Sequence, residues 1–240
     1  MKTQTPADSR TAISGAGPGI YRDGTYLDNN QTWHVEDSAW KAKKISEILE
    51  RNRIVFDTVV EIGCGAGEIL NQLRMRYPKA EFCGFDVSPQ ANLLSSARQT
   101  ERLTFYQKDL LTEDRNFDLT LCIDVFEHVE DYLGFLKALR SKGCRTIFHI
   151  PLDLSVQTIL RVSPIRRSRE SVGHLHYFTK ESALATLAHC GFRVIDCFFT
   201  SDTLDLPRPN WRTKAMKLPR RLAYVLSPDF AARRVMTESS

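Results

Sequence analysis

Four stretches of this chain carry side chains whose types and spacing can do chemistry. The first is Glu61-Ile-Gly63-Cys64-Gly65-Ala-Gly67. Alternate glycines let a backbone turn sharply and approach a ligand closely, where a Cβ would obstruct it. G-x-G-x-G is a weak signal alone, because nucleotide-binding proteins of several kinds share it. About 20 residues further on, Asp86 closes an apolar run, and an acidic side chain there can accept hydrogen bonds from both hydroxyls of a ribose. The second stretch is Asp124-Val-Phe-Glu127-His128. Residues at i, i+3 and i+4 share one face of a helical turn, so two carboxylates and an imidazole could converge on a divalent cation such as magnesium. In the plainer reading Asp124 touches a cofactor and His128 packs against a sheet. The third stretch is His174-Leu-His176. Either neutral imidazole could take a proton from an acceptor hydroxyl near pH 7, or His174 is turn architecture. The fourth is aromatic, from Tyr21 and Tyr26 through Trp33 and His34 to Trp40. Aromatic faces stack on bases and attract cations; this segment reads as a lid, with His34 a further base candidate, or as a cap packed on a sheet.

These residues need a frame, and the hydrophobic pattern supplies one. Short apolar runs at 58–62, 81–85, 103–106, 117–123 and 145–150 each precede a stretch of amphipathic, helical character. Strands alternating with helices predict an α/β fold: a doubly wound, mostly parallel sheet with helices on both faces. Right-handed crossovers then bring every strand's C-terminal end to one rim, where open α/β sheets bind ligands. Ahead of the first strand, Ile45, Ile48 and Leu49 recur at helical spacing, with Asp37 or Ser38 to cap the start. Thr179 to Cys190 reads as a helix capped by Thr179 and stopped by Gly191, and Phe192 to Phe199 as another strand. The chain divides into a flexible leader (1–20), an aromatic lid and helix (21–52), a core (53–200) with an insertion at 152–175, and a basic tail (201–240) with a helix-like stretch near 212–226.

Composition bounds the possibilities. The 240 residues, 42% hydrophobic and 26% charged, suit one globular domain with decorations. Apolar runs fall well short of the roughly 20 residues that span a bilayer. The six cysteines form no CxxC pair and two sit in strand-like runs, which predicts reduced thiols and a cytoplasmic setting. The net charge of +4 is too weak to argue for nucleic acid. It is unevenly spread, at −3 over residues 1–153 and +7 over 154–240, with Arg161, Arg166, Arg167 and Arg169 clustered in the insertion. Arginine forks suit phosphates and carboxylates, and a solvated basic face is the alternative.

Taken together, Glu61 before the first glycine, Asp86 after the second strand, Asp109-Leu110 after the third and Asp124 after the fourth resemble the class I S-adenosylmethionine-dependent methyltransferases over roughly residues 40–200. The resemblance implies a Rossmann-like sheet. It implies that Glu61, Gly63, Cys64, Gly65 and Gly67 line the methionine and ribose portions of S-adenosyl-L-methionine. Asp86, with Val87, takes the ribose hydroxyls, and Asp109 and Leu110 take the adenine. Asp124, Trp33, His34 and Trp40 complete the cofactor set. The family's sheet usually has seven strands, and no long apolar run follows Phe199, so the seventh is doubtful here and the tail or a partner chain is expected to compensate.

The acceptor follows partly by exclusion. A [DNS]-P-P-[YF] loop, usual in enzymes that methylate base amines, is replaced by Ile123-Asp-Val-Phe, and no Pro-Cys dipeptide is present. No nucleic-acid partner is therefore expected. Asp124-x-x-Glu127-His128 is similar to the Glu-x-x-Glu-His segment of the ubiquinone-biosynthesis O-methyltransferases, which implies a place beside the acceptor and, in some members, a metal held by Asp124, Glu127 and His128. With the lid and the basic insertion, the chain also resembles sugar O-methyltransferases. The expectation is O-methylation of a small hydroxylated acceptor, a sugar or a phosphorylated, nucleotide-linked sugar, with His174, His176, Asp124 and His128 as the catalytic set. The alternatives are N-methylation of an amino sugar or small amine, and a non-catalytic cofactor-binding subunit.

Overall fold

A computed structural model describes Tyr21, residues 25–201, Asp205, Leu206, Val225 and Ser227. The leader and most of the tail, with the helix-like stretch at 212–226, lie outside the described residues apart from Val225. Five strands form one sheet: β1 (Thr58–Ile62), β2 (Glu81–Asp86), β3 (Leu103–Gln107), β4 (Phe117–Ile123) and β5 (Gly143–His149). Their order is β3-β2-β1-β4-β5 and every pairing is parallel. The order reverses between β1 and β4, which opens a crevice at their C-terminal ends.

Alternation along each strand divides the core in two. After a short α1 (Thr25–Asn29), α2 is Val35–Arg51 and α3 Glu68–Arg76; Val59 faces one way, with Phe82, Leu103 and Leu119, against Ala42, Ile45 and Leu49 of α2 and Leu70 and Leu73 of α3. Val60 faces the other way, with Cys83, Phe85 and Cys122, against Leu136 and Leu139 of α5 (Tyr132–Leu139) and Ala183 and Leu187 of α8 (Lys180–His189). Between these lie α4 (Pro89–Ser96) and, in the insertion, α6 (Val156–Arg161) and α7 (Ser163–Ser171). Thr179 caps α8 as expected: its side chain accepts from the Ser182 amide and the Ser182 side chain returns the bond.

Two expectations are corrected. Helix α2 begins at Val35, ahead of Asp37 and Ser38, because Trp33 and His34 both take left-handed backbone (φ 50° and 55°) and launch it without a side-chain cap. The stretch Phe192 to Phe199 forms no strand. It runs beside β5, separated from it by a cavity of about 780 Å³ lined also by Ile45, Ile48 and Leu187. The segment is anchored by side chains instead: Arg51 donates to Asp196 through Nε at 2.7 Å and through Nη2, and just beyond it the Thr200 hydroxyl meets His149 Nε2 at 3.0 Å. Among the described residues β5 is thus a sheet edge.

Candidate active site

The glycine turn leaves β1 and is stitched to the neighbouring strand, since Gly63 and Cys64 both donate to the Phe85 carbonyl, at 2.8 and 3.1 Å. Gly63, Gly65 and Gly67 all have positive φ. At Gly65 (φ 52°) a Cβ would also lie 2.6 Å from the Trp33 ring, and at Gly67 (φ 76°) it would lie 2.4 Å from Phe105. The turn is therefore closed to any other residue both by conformation and by space. Asp86 ends β2 with its carboxylate aimed by two amides: Oδ2 accepts from Gly65 N at 2.9 Å and Oδ1 from Ser88 N at 2.8 Å. Burial raises its pKa, and those amides partly oppose the rise. Each oxygen keeps a lone pair for a ligand hydroxyl. Glu61 is fully buried, with Oε2 unpartnered, and burial pushes its carboxyl well above the usual range.

The other residues expected at this rim have partners of their own. Asp109 spends Oδ1 on the Leu111 amide at 2.9 Å, and the Leu110 side chain is fully buried in the core. Cys64 is buried within the turn and Val87 follows Asp86, half-buried. Trp33 crosses Gly65 and packs on Tyr26 at 4.8 Å, and Tyr26 packs on Tyr21 at 4.7 Å. His34 is held at the helix start, its pKa lowered by burial. Trp40 finds its partners elsewhere: its Nε1 donates to Asp205 at 2.9 Å, and its ring meets His149 edge-on at 6.0 Å.

At the end of β4, Asp124 adopts φ 54°, which excludes it from the short 3₁₀ turn Phe126–His128 that follows. Its oxygens are taken by Lys41 Nζ (2.9 Å) and His149 Nδ1 (2.6 Å). Burial works against its charge, but His149 and Lys41 outweigh it and hold the carboxyl well below the ordinary range. Lys41 is correspondingly raised, Asp124 outweighing its own burial.

Glu127 and His128 meet a different partner, His174. Ligand atoms of the three lie within 4.8 Å of one another, and both oxygens of the fully buried Glu127 lack a hydrogen-bond partner. Asp124 is not in this group, its oxygens being engaged elsewhere. Backbone bonds bring the third member in: Leu175 N and His176 N both donate to the Glu127 carbonyl, at 2.8 and 3.0 Å. Asp153 Oδ2 holds His174 Nδ1 at 2.6 Å, so Nε2 is the nitrogen left to act. Tyr21 donates its hydroxyl to the Val172 carbonyl at 2.6 Å and contacts His128 Nδ1 at 2.9 Å. Burial, with His174 adding to it, brings His128 down to about 3, a neutral ring. His176 points Nε2 at the Val129 carbonyl (2.9 Å) and packs on Tyr132 at 4.3 Å. The tyrosine-tryptophan segment thus runs from the glycine turn to this cluster.

Sequence reasoning missed Lys41, His149 and Asp153. His149 had one legible signal, its place at the C-terminal end of a strand run, on the rim where such sheets bind ligands.

A family model described as a methyltransferase domain matches residues 33–196. Trans-aconitate 2-methyltransferase of Deinococcus radiodurans is 33% identical over 35% of this chain and 33% of its own length. A ubiquinone biosynthesis O-methyltransferase of Rickettsia bellii is 29% identical over 37% of this chain and 40% of its own. The chain therefore aligns with well under half the length of either relative. Among solved structures, the magnesium protoporphyrin IX methyltransferase of Synechocystis with bound S-adenosylhomocysteine superposes with a TM-score of 0.59 at 17% identity, over 76% of this chain and 90% of that one.

Proposed function

Because the chain belongs to the methyltransferase family whose domain spans residues 33–196, an enzyme using S-adenosyl-L-methionine, we propose that it methylates an oxygen of a small hydroxylated acceptor. The cradle fits the cofactor on its own terms: a turn that admits no Cβ, a carboxylate aimed by two amides, and a buried acid, Glu61, with an oxygen to spare. The cofactor, when bound, supplies an electrophilic methyl on a sulfonium. The chain's own part is to close over it with Trp33 and Tyr26, to orient the acceptor, and to take its proton.

One observation carries the oxygen reading: the Asp153–His174 pair at 2.6 Å, buried beside Glu127 and His128. Asp153 fixes the tautomer, which leaves Nε2 of His174 to accept the hydroxyl proton as the methyl reaches oxygen. An aliphatic hydroxyl such as a sugar's needs that help, whereas a neutral amine needs no strong base. In-line placement supplies most of the acceleration, so the base has a bounded share. With labelled cofactor and a panel of sugars, nucleotide-linked sugars and amines, His174→Ala is expected to lower kcat by about 10²-fold. Asp153→Asn is expected to lower it too. Turnover of an amine, indifferent to both substitutions, would replace this reading with N-methylation.

A second reading has its own observation, the unpartnered Glu127 carboxylate facing two imidazoles. Glu127, His128 and His174 would hold a divalent cation, with Asp153 orienting His174 from behind. Such a cation would lower the pKa of a bound hydroxyl. Loss of turnover on chelation, restored by magnesium or manganese, would select it, and binding of manganese alone, read by its paramagnetic resonance, would support it without any assay.

A further inference from the structure

The insertion between β5 and α8 contains a helix built inside out. An ordinary surface helix buries its apolar stripe and shows polar residues to water. In α6 the buried positions are polar: Ser155 caps the helix, and Thr158 returns the bond while its Oγ1 donates to the Asp153 carbonyl at 2.6 Å. Most outward positions are apolar, with Val156 51% exposed, Ile159 57% and Leu160 79%, followed by Val162 at 54% just past the helix end. Ten large apolar side chains stand exposed among the described residues, and four of them fall in these seven consecutive positions. Scattered exposed apolar residues are normal; a cluster on one short element is not.

Two further features bear on what this face meets. Val162 joins α6 to α7 at φ 60°, a conformation that β-branched residues avoid, and the corner it makes leaves the side chain projecting. On either side of this corner, Arg161, Arg166, Arg167 and Arg169 are all exposed, against a single acidic residue, Glu170, in the same stretch. Exposed apolar side chains bordered by a basic rim match an anionic lipid surface: acyl chains accept the former and phosphate headgroups the latter. At six residues α6 cannot cross a bilayer, and no described helix is long and apolar enough to do so, so such contact would be interfacial.

We propose that the α6–α7 corner docks this enzyme on an anionic phospholipid bilayer, with Val156, Ile159, Leu160 and Val162 entering the headgroup boundary and the arginines meeting phosphates. The corner is tied to the candidate active site at both ends. Asp153, which starts it, holds His174, and the amides of Gly173 and His174 donate to the Ser168 carbonyl of α7 at 3.0 and 3.3 Å. Docking would therefore set the candidate active site near the membrane surface, where the hydroxylated headgroup of an amphiphile is the acceptor within reach. A protein partner would be expected to present acidic side chains to the same rim, and the test below distinguishes it.

The test is co-sedimentation of the full chain with phosphatidylcholine vesicles, with and without phosphatidylglycerol, at low and high salt. Binding is expected only with phosphatidylglycerol, weakening with salt. Ile159→Ser with Leu160→Ser should weaken it at least about tenfold, and Arg166→Gln with Arg167→Gln by roughly tenfold or more. All four positions are exposed, so both double variants should melt with the wild type and give the same heat on binding S-adenosylmethionine. No sedimentation of the wild type would overturn the proposal, as would binding indifferent to the Ile159 and Leu160 changes. A concentration-dependent dimer abolished by those changes, without vesicle binding, would reassign the face to a second copy of the chain. Sedimentation needs no acceptor, so its failure leaves the methyl-transfer reading standing, and the converse also holds.

Discussion

At the C-terminal ends of β2 and β4 the chain buries one carboxylate each, and the two are handled in opposite ways. Asp86 is offered backbone amides, those of Gly65, Val87 and Ser88, and burial leaves its pKa raised. Asp124 is given a lysine and a histidine, and its carboxyl is held far below the ordinary range. A carboxylate supported by amides alone still has charge and lone pairs to offer a ligand. One already neutralised by Lys41 and oriented by His149 has little left to give, and its contacts fasten α2 to the ends of β4 and β5. The same motif chemistry, an acid at a strand end, is thus left open to a ligand at one place and engaged by side chains at the other.

The comparison breaks most readily at Asp124. Asp124→Ala strands a mostly buried Lys41, and removing one partner of such a pair costs about 3 kcal/mol or more. Thermal or urea unfolding should show that loss, while cofactor affinity in the surviving folded fraction changes little. If the pair is assembly and not binding, Lys41→Met combined with Asp124→Leu should recover most of the lost stability, because no unpaired charge then remains buried. Asp86→Ala should do the reverse. Losing hydrogen bonds from a charged acceptor to two hydroxyls is worth about 2 kcal/mol, roughly thirtyfold in Kd by calorimetry with S-adenosylmethionine, with little change in melting temperature. Equal affinities in wild type and variant would remove Asp86 from the ribose.

The smallest effect expected is at the strap beside β5. Arg51 and Asn52 bring Asp196 down to about 2 from an ordinary value near 4. A depressed carboxyl contributes stability above its unfolded pKa and loses it as pH falls through the folded one. The contribution of Asp196 should thus be complete above about pH 5 and fade toward pH 2. The site is exposed, so the change is expected to be small. Melting curves of wild type and Asp196→Asn should differ slightly at neutral pH and converge in acid; a constant gap would mean that the charge is not what anchors the segment.

How much of this was legible in the sequence differs from place to place. The strand runs at 58–62 and 117–123 coincide with β1 and β4, because buried parallel strands leave a short, largely apolar record. The Thr179 cap was legible because capping is a bond between neighbours. The 192–199 run is apolar enough for a strand, yet a strand also needs an adjacent edge to pair with, and composition does not report whether one is in reach. Asp124, Glu127 and His128 were expected on one helical face. A left-handed backbone at Asp124 turned it toward Lys41 and His149, residues 83 and 25 positions away along the chain.

By itself the sequence determined the parallel α/β sheet, the glycine turn and its acidic partner, since each depends on residues within one strand, turn and helix of each other. Only the tertiary structure decided that His174 joins Glu127 and His128, that Asp153 stands behind it, and that α6 turns its apolar face outward. Those outcomes rest on contacts between segments far apart in the chain, where local propensity is silent and packing chooses the partner.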